Sequence, residues 1–574
     1  MCGITGIYGV EDKTLLKKMT DSITYRGPDD CGTYLDKTVS LGMRRLAIID
    51  LKTGNQPIWD AKGEKLIFYN GEIYNYEELK KDLLKKGHKF YTETDTEVIL
   101  HMYEQYGIQG LSQLDGMFAF ALYDIKAKEL VLARDRAGIK PLYYTFLGKK
   151  LIFGSEIKCI LQDEDFPREL DKEALTSYLT YGTVMGDKTL FEGVKKLLPG
   201  QILKYDGENT NFKKLDIAWK APVEDYSAKS LEKLFDTVVK DQMISHVPLG
   251  AFLSGGLDSS SIVGMMAKHS DDELDTFTVG FGQDSDEIYY AKVVAEHFGT
   301  KHHELIVSPD EVPKTIQKLV WHFDDLTWDS AAIPVYLVSK LARKYVTVAL
   351  SGEGADELFG GYERFKPFSS AIPLVPKTVR WDIYRKFITM FDPATRKRIC
   401  GSDGTYAEKI LEKYEKAPGN SLENVMQFEY NEFLPNQLLN KADKAPMAAS
   451  IEARVPYLDN NIIEFAKHVP LQEKVHGLEG KYILRKAVSN LVPKITKKRM
   501  KKGFGAKPIF WFRNKEMKEF TGNMLDKPHI EKSGLNYSGW KEIMANIERP
   551  KKAYQLWAML LLEIWYRQFI EGEK

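Results

Sequence analysis

The sequence contains few cysteines. Only four of its 574 residues are cysteine, and they are spread along the chain without a CxxC pair. This excludes a disulfide framework and a zinc ribbon, because both need regularly spaced cysteines. It favours a reducing compartment, and the amino-terminal residues lack the basic start and apolar run of a secretory signal. We therefore expect a cytoplasmic protein.

The sequence also lacks net charge and long apolar runs. Lys and Arg together number 81, and so do Asp and Glu, so no excess of cations is available to neutralise a phosphate backbone. The longest apolar runs, Met117 to Tyr123 and Leu556 to Leu562, fall far short of the ~18 residues that indicate a membrane span. We therefore expect neither nucleic acid nor a membrane as a partner.

The pattern of strands and helices changes along the chain. Residues 2–206 consist of short β-rich runs with few helices, which is typical of a mixed sheet-and-helix domain. Residues 207–227 are polar, contain Gly and Pro, and are typical of a linker. In residues 228–574 strands first alternate with helices, which predicts a parallel, doubly wound sheet, and from about Trp381 the chain becomes largely helical. The sequence therefore predicts two domains joined by a linker.

Cys2 is a candidate nucleophile. Removal of Met1 would leave a free α-amine beside its thiol, and an amine with an ordinary pKa of ~7.7 to 8.0 can accept the thiol proton near neutral pH. A cysteine at position 2 is weak evidence by itself. Several downstream motifs strengthen it, namely RGPDD, RRLAIID, NGEIYN, GMFAFALYD and RDRAGIKPLYY.

Together these motifs make residues 2–206 resemble the class II glutamine amidotransferase family. The resemblance implies an αββα sandwich of the N-terminal-nucleophile type that hydrolyses glutamine to glutamate and ammonia. It implies that Cys2 attacks the side-chain amide, while Asn70 and the backbone amide of Gly71 form the oxyanion hole. It also implies three side chains that bind the charged ends of glutamine: Arg45 for the carboxylate, and Glu72 and Asp95 for the ammonium group.

Each of these residues also has a purely structural interpretation. Asn70-Gly71 is the commonest signal for a hairpin turn. Arg45 within a strand would suit a surface ion pair, and Asp95 stands where a helix N-cap is expected. The joint occurrence of all of them with Cys2 favours the functional interpretation.

Two loops that follow predicted strands suggest a nucleotide site. SGGLDSS, from Ser254 to Ser260, opens a helix and offers backbone amides to an anion. SGEGADELFGGY, from Ser351 to Tyr362, brings carboxylates to a neighbouring strand end. Mg²⁺ would reconcile these carboxylates with phosphate oxygens. The structural alternative, an acidic helix N-terminus, explains the acids but not the glycines on both sides.

These loops, with the segments SIEARVPYLD, GKYILRKAV and RMKKGFGAKP, make residues 228–574 resemble the synthetase half of glutamine-hydrolysing asparagine synthetases. The resemblance implies a Rossmann-like ATP pyrophosphatase domain with a helical carboxyl-terminal part. It assigns ATP binding to Leu253, Ser254, Gly255, Gly256, Asp258, Ser259, Val279, Ser351, Gly352 and Lys481. It assigns Mg²⁺ to Asp258 and Asp356, and the acceptor to Glu353, which would also be catalytic, and to Arg454. For Lys481, a surface lysine before a helix is the competing interpretation.

The implied function is the ATP-dependent amidation of aspartate through a β-aspartyl-AMP intermediate, with ammonia supplied by glutamine. The expected partners are glutamine, aspartate and ATP, with Mg²⁺ as cofactor, and a homodimer is compatible with the resemblance. One alternative is amidation of another carboxylate, such as a diaminopimelate residue of a peptidoglycan precursor. A silent glutamine or nucleotide sensor predicts a lost nucleophile or phosphate loop, and a β-lactam-forming relative needs no Cys2.

Overall fold

A computed structural model describes residues 2–215, 225–281, 286–369, 372, 375–402, 405–499 and 507–573. Residues 216–224 of the predicted linker and residues 500–506 of the RMKKGFGAKP segment lie outside these ranges. Among the described helices, none combines the length and the apolar character needed to cross a membrane.

The amino-terminal part, residues 2–215, contains two antiparallel six-stranded sheets. The first sheet has the order β10-β8-β9-β1-β3-β2, and the second has the order β12-β11-β7-β6-β5-β4. The twelve strands are β1 (Gly3–Tyr8), β2 (Asp30–Leu35), β3 (Val39–Arg45), β4 (Ile58–Trp59), β5 (Lys65–Ile73), β6 (Gly116–Asp124), β7 (Glu129–Arg134), β8 (Tyr143–Leu147), β9 (Lys150–Gly154), β10 (Lys195–Lys196), β11 (Gln201–Tyr205) and β12 (Thr210–Lys214).

Helices cover both outer faces of this pair of sheets. An apolar core that includes Ile4, Leu41, Phe68 and Leu132 fills the space between the sheets. The helices are α1 (Lys13–Asp21), α2 (Tyr76–Lys85), α3 (Thr96–Tyr106), α4 (Ile157–Ile160) and α5 (Lys172–Tyr181). Helix α1 packs on β1, and helix α3 packs on β5. The predicted αββα sandwich is therefore confirmed.

The second sheet of this sandwich extends beyond residue 206. Strand β12 pairs with β11 in an antiparallel hairpin that runs to Lys214. The sequence-based boundary was drawn too early, because β12 has the sequence TNFKK, with one apolar residue and all five side chains exposed, and so shows no apolar alternation. The strand is held by its backbone pairing with β11 and by a ring contact between Phe212 and Tyr144.

The carboxyl-terminal part, residues 225–573, is built on a parallel sheet of order β15-β14-β13-β16-β17, with a small separate hairpin. Its strands are β13 (Leu249–Phe252), β14 (Asp275–Phe281), β15 (Lys301–Val307), β16 (Val348–Leu350), β17 (Glu452–Arg454), β18 (Val475–His476) and β19 (Glu479–Gly480). Strands β13 to β17 pair in parallel register. The predicted doubly wound sheet is therefore confirmed.

Helices surround this sheet and make up most of the chain after Trp381, as expected. The helices around the sheet are α6 (Ala228–Asp241), α7 (Leu257–His269), α8 (Asp286–Phe298), α9 (Val312–Phe323), α10 (Ala332–Ala342) and α11 (Ala355–Phe359). The later helices are α12 (Lys377–Ile388), α13 (Pro393–Cys400), α14 (Thr405–Glu415), α15 (Ser421–Phe428), α16 (Leu439–Met447), α17 (Asn460–His468), α18 (Leu471–Lys474), α19 (Tyr482–Ala487), α20 (Lys494–Lys498), α21 (Pro508–Trp511), α22 (Lys515–Leu525), α23 (Trp540–Ala545) and α24 (Pro550–Trp565).

The two parts share a buried interface. Helix α24 is almost wholly buried, and the Ala558 carbonyl on it accepts a hydrogen bond from the Tyr178 hydroxyl at 3.0 Å. The guanidinium of Arg26, in the amino-terminal part, donates to Glu156 at 2.8 Å and to both carboxylate oxygens of Asp443 at 2.8 and 3.1 Å. Charges buried this deeply require their partners, because a buried charge left alone costs several kcal/mol. The interface therefore fixes the two parts relative to each other.

His101 on α3 predicts a pH effect on stability. Although burial opposes its charged form, hydrogen bonds to Glu104 and Glu97 raise the pKa of His101 to about 9 from an ordinary 6.5. Because the pKa of His101 is higher in the folded chain than in the unfolded one, protonated His101 contributes its full stabilisation below pH 6.5. This contribution is lost as the pH rises through about 9. The His101→Gln substitution should therefore lower the free energy of unfolding by up to about 3 kcal/mol more at pH 6 than at pH 9.5. Urea denaturation of both proteins measures this difference, and a difference independent of pH would contradict the assignment.

Candidate active sites

Cys2 lies buried immediately before β1, with 8% of its surface exposed. Its main-chain nitrogen donates a hydrogen bond to Asn70 Oδ1 at 2.9 Å. Burial raises the pKa of the Cys2 thiol, and a hydrogen bond from the Leu46 backbone and the charge of Arg45 only partly oppose this. The thiol is therefore protonated at neutral pH, and an adjacent base has to accept its proton before it can attack.

Asn70 places a buried amide donor next to Cys2. It is fully buried on β5, and its Oδ1 is occupied by the nitrogen of Cys2. Within the described part of the chain, nothing accepts a hydrogen bond from Asn70 Nδ2. A buried amide donor without a partner is costly, so it indicates a site for an acceptor that arrives with the substrate. This donor lies on the side chain that also holds the nucleophilic residue.

Asn70 and Gly71 form no hairpin turn. They lie within β5, where Asn70 pairs with Ala119 and Gly71 pairs with Phe118 of β6. A Cβ atom at position 71 would lie 2.1 Å from the Met117 carbonyl oxygen, so only glycine allows the two strands to approach this closely. The structural interpretation of this dipeptide as a turn is therefore wrong.

Arg45 is no surface residue either. It ends β3 and is buried, and its guanidinium donates to Asn55 Oδ1 at 2.7 Å and to the Asp50 carbonyl at 2.7 Å. These neutral acceptors hold the guanidinium in place without neutralising its charge. Arg45 therefore keeps a positive charge beside Cys2, where a substrate carboxylate could pair with it.

Asp95 and Glu72 are both buried near β5. Asp95 does not cap α3, because its Oδ2 instead accepts from the Tyr69 hydroxyl at 2.9 Å and from the Ile73 backbone at 2.8 Å. Glu72 Oε1 lies 3.2 Å from the guanidinium of Arg454, which comes from the carboxyl-terminal part. Burial raises the pKa of Glu72 well above its usual range, and Arg454 only partly opposes this. The two carboxyl groups are thus held in place by contacts that the sequence did not reveal.

The second site is a cavity of about 1030 Å³ at the carboxyl ends of the parallel strands. The SGGLDSS loop joins β13 to α7, and Gly256 is the N-cap of that helix. The Ser254 and Ser259 hydroxyls lie 3.0 Å apart across the loop. Gly255 has a φ of 66°, and a Cβ there would lie 2.4 Å from the Tyr290 backbone, so glycine is required. Helix amides and hydroxyls thus converge on one corner of the cavity, as expected for a phosphate site.

Lys481 links the two loops. Its Nζ lies 2.7 Å from Asp258 Oδ2 on the first loop and 2.6 Å from Asp356 Oδ1 on the second. Its backbone is left-handed, with a φ of 58°, which costs of order 1 kcal/mol in a residue other than glycine. Lys481 is buried, so the competing interpretation as a surface lysine is wrong.

The second loop adds further groups to the cavity wall. The Ser351 hydroxyl donates to the Glu353 carboxylate, and both residues line the cavity. A Cβ on Gly352 would lie 3.0 Å from the Cβ of Asp258, so this glycine lets the two loops approach. Burial and the neighbouring charge of Asp356 raise the pKa of Glu357, another lining residue, to about 7.

Three predicted ligand residues do not line this cavity. Val279 is buried in the apolar core, whereas Phe277 of the same strand does line the cavity. Gly255 shapes the loop but is not part of the cavity wall. Arg454 is fully buried, and its guanidinium is bound to Glu452, to the Gln242 and Ile244 carbonyls and to Glu72. The prediction that Arg454 contacts the acceptor is therefore corrected, because these partners enclose its guanidinium and it has no contact with the cavity.

Strand β17 lies between the two sites. Successive side chains of a strand point to opposite faces. Ala453 lines the cavity, whereas Arg454 on the opposite face contacts Glu72. Burial is the main cause of the raised pKa of Cys2, and the negative charge of Glu452 adds to it. The strand thus presents one side chain to the cavity and two side chains to the amino-terminal part.

The sequence reasoning missed Glu452 and Lys140. Burial opposes ionisation of Glu452, but the amino-terminal charge and Arg454 outweigh it and lower its pKa to about 2. Lys140 is fully buried, and its Nζ lies 3.9 Å from Asp443. Burial lowers the pKa of Lys140. The sequence pointed to Glu452 only through the SIEARVPYLD motif, where a glutamate and an arginine stand on either side of an alanine. In a strand, these two charged residues would lie on the same face.

Comparison with known proteins identifies the families of both parts of the chain. The asparagine synthase family matches residues 230–567, and the glutamine amidotransferase domain matches residues 1–215. Asparagine synthetase (glutamine-hydrolysing) 1 of Bacillus subtilis strain 168 is 36% identical over 100% of this chain and 97% of its own length. Asparagine synthetase (glutamine-hydrolysing) 3 of the same organism is 32% identical over 86% of this chain and 85% of its own. A putative asparagine synthetase of Methanocaldococcus jannaschii is 39% identical over 63% and 76%, respectively. The chain therefore belongs to the asparagine synthase family, with a glutamine amidotransferase domain in its amino-terminal part.

Proposed function

We propose that the protein is a glutamine-hydrolysing asparagine synthetase that amidates aspartate at the expense of ATP. The observation that carries this proposal is the placement of a buried nucleophile site and a phosphate-loop cavity on opposite faces of β17. Ammonia in water at neutral pH is mostly ammonium and is not nucleophilic. An enclosed route between the two sites would protect ammonia from protonation.

In the first half-reaction the chain supplies both nucleophile and base. After removal of Met1, the α-amine of Cys2 takes the thiol proton, and the sulfur attacks the side-chain amide carbon of glutamine. The unpaired Nδ2 of Asn70 and the backbone amide of Gly71 stabilise the oxyanion. Ammonia leaves, and water then releases glutamate from the thioester. Arg45 pairs with the glutamine carboxylate, and Asp95 with Glu72 faces its ammonium group.

The residues at the cavity fit ATP with Mg²⁺. Mg²⁺ is usually held by one or two carboxylates together with substrate phosphates. Asp258 and Asp356 both lie within 2.7 Å of the Lys481 ammonium, so the two carboxylates face a common point on the cavity wall. Mg²⁺ bound there would neutralise charge on the phosphates. The loop amides and the Ser254 and Ser259 hydroxyls would hold the phosphates, with Leu253 against the nucleoside and Lys481 against the departing pyrophosphate.

In the second half-reaction a β-carboxylate oxygen of aspartate attacks the α-phosphorus of ATP, and pyrophosphate leaves. Ammonia then attacks the acyl carbon, the carbon–oxygen bond to AMP breaks, and asparagine and AMP are released. Glu353 lies on the cavity wall with its carboxylate held by Ser351, so we assign it the proton lost by the attacking ammonia. No residue of the described chain favours the diaminopimelate alternative.

Isotope transfer tests this proposal. Purified protein is supplied with ATP, Mg²⁺, glutamine and aspartate carrying ¹⁸O in its β-carboxylate, and the products are analysed by mass spectrometry. We expect one ¹⁸O in AMP and one in asparagine. Label in phosphate together with ADP would refute adenylation, and the absence of any aspartate-dependent product would refute aspartate as the acceptor. The cytoplasmic location and the homodimer stay predictions.

A further inference from the structure

A group of metal-ligating side chains lies away from both sites, on the outer helical layer of the amino-terminal part. We call it the α3 histidine cluster, and it consists of His88, His101 and Glu104. His88 follows α2, while His101 and Glu104 lie one turn apart on α3. One ligand atom from each of the three residues lies within 4.8 Å of the other two. Glu104 Oε2 lies 2.6 Å from His101 Nδ1 and 3.6 Å from His88 Nδ1.

The other nitrogen of each imidazole faces an oxygen acceptor. His88 Nε2 lies 2.9 Å from Gln105 Oε1, and His101 Nε2 lies 3.4 Å from the Glu97 carboxylate. With Nε2 of each ring facing one of these oxygens, Nδ1 of each ring faces the Glu104 carboxylate at the centre of the cluster, where a metal ion would replace any proton on Nδ1. Glu97 is held by the Tyr91 and Thr92 backbone amides at 2.9 and 2.8 Å. This arrangement is the one that orients metal-bound histidines.

We propose that the α3 histidine cluster binds one Zn²⁺ ion through His88 Nδ1, His101 Nδ1 and a Glu104 oxygen, with water as the fourth ligand. Tetrahedral zinc with bonds of ~2.0 to 2.2 Å places its ligand atoms ~3.4 Å apart. The observed separations bracket this value, so small side-chain rotations close the site. The His101 side chain is 2% exposed, and those of His88 and Glu104 are 16% and 19% exposed, so solvent reaches the open position.

The competing explanation is a protonated His101 that pairs with Glu97 and Glu104. A proton and a zinc ion use the same lone pair on Nδ1, so they exclude each other there. Zinc would tie the segment after α2 to α3. A second cluster, His529 with Glu571 and Glu573, supplies a comparison. The Lys532 ammonium lies 2.5 Å from Glu571 and already supplies a cation to that cluster. We expect no zinc there.

Zinc titration of the full chain tests the proposal. The Cys2→Ala protein is used throughout, because it lacks the thiol of the nucleophile site. After chelator treatment, Zn²⁺ is titrated in competition with a chromophoric chelator. We expect one tight site per chain, at least about 100-fold weaker in His88→Ala and Glu104→Gln and about 10- to 100-fold weaker in Glu97→Gln. His529→Ala is the matched control and should leave the affinity unchanged.

Folding of the variants does not limit this test. His88 and Glu104 are partly exposed, and circular dichroism checks each variant. X-ray absorption of the zinc-loaded parent adds a measurement that needs no variant, with only nitrogen and oxygen ligands expected. Sulfur in the zinc shell, an unchanged affinity in His88→Ala, or no tight site in the parent would each overturn the proposal. In the last case the cluster is an ion pair around a protonated His101.

Discussion

Replacement of Cys2 by alanine should abolish glutamine-dependent synthesis and leave ammonia-dependent synthesis intact. Formation of the proposed thioester requires the Cys2 thiol, and loss of a nucleophile costs at least about 10³-fold in rate. The second site receives ammonia from solution when ammonium salts are supplied, and it lies across β17 from position 2. Asparagine formation with each nitrogen source, together with glutamate release, measures the effect.

Cys31→Ala is the matched control for this variant, because Cys31 is an exposed thiol on β2. It should change both activities by less than about 2-fold. Retained glutamine-dependent synthesis in Cys2→Ala would show that another group is the nucleophile. Loss of ammonia-dependent synthesis in a folded Cys2→Ala protein would show that the two sites do not divide the reaction as proposed.

The predictable part of the first site is the part that depends on local sequence. Cys2, Asn70 and Gly71 could be recognised because a position-2 thiol and an NGE segment occur together with several other motifs. The contact of Glu72 with Arg454 could not be predicted, because it joins residues far apart in the chain and exists only once both parts have packed. Arg454 was assigned to the acceptor because the motif alone does not show which face of β17 each residue occupies.

The fold was predictable to a similar extent. Short β-rich runs located strands such as β5 and β6, and their buried residues form the expected core. Strand β12 carries no such pattern and was assigned to the linker. Strand β17 was also missed as a strand, since three residues with two charges resemble a loop. Its charges are tolerated because Arg454 pairs with Glu452 of the same strand and with Glu72 of the amino-terminal part, and all three are buried together.

The zero net charge of the chain also has a structural counterpart. Opposite charges are paired at the interface of the two parts, as in Arg26 with Asp443, Arg136 with Glu464 and Lys196 with Asp325. Removing one partner of a fully buried pair costs about 3 to 5 kcal/mol, because the other charge is left alone. Balanced charge here therefore reflects pairing within the molecule and recognition of zwitterions and metal-bound phosphates.

Asp356→Asn should have the complementary effect to Cys2→Ala. We expect synthesis to fall at least about 100-fold with either nitrogen source, while glutamine hydrolysis at Cys2 continues. The carboxylate of Asp356 lies 2.6 Å from Lys481 Nζ and faces Asp258 across it, so the substitution removes one of the two charges proposed to hold Mg²⁺. The amide keeps the size of the side chain, which limits any change in packing. Pyrophosphate and glutamate release are measured on the same samples.

Glu479→Gln is the matched control, because Glu479 lies at the same cavity but its side chain is 54% exposed and pairs only with Arg485 within the described chain. It should alter pyrophosphate release by less than about 2-fold, since an exposed ion pair contributes little. Raising the Mg²⁺ concentration should partly restore Asp356→Asn, because weaker binding is offset by mass action. Full activity of Asp356→Asn at low Mg²⁺ would remove this residue from the metal site. Loss of glutamate release as well would mean that Asp356 acts on both sites through β17, and the two half-reactions would not be separable.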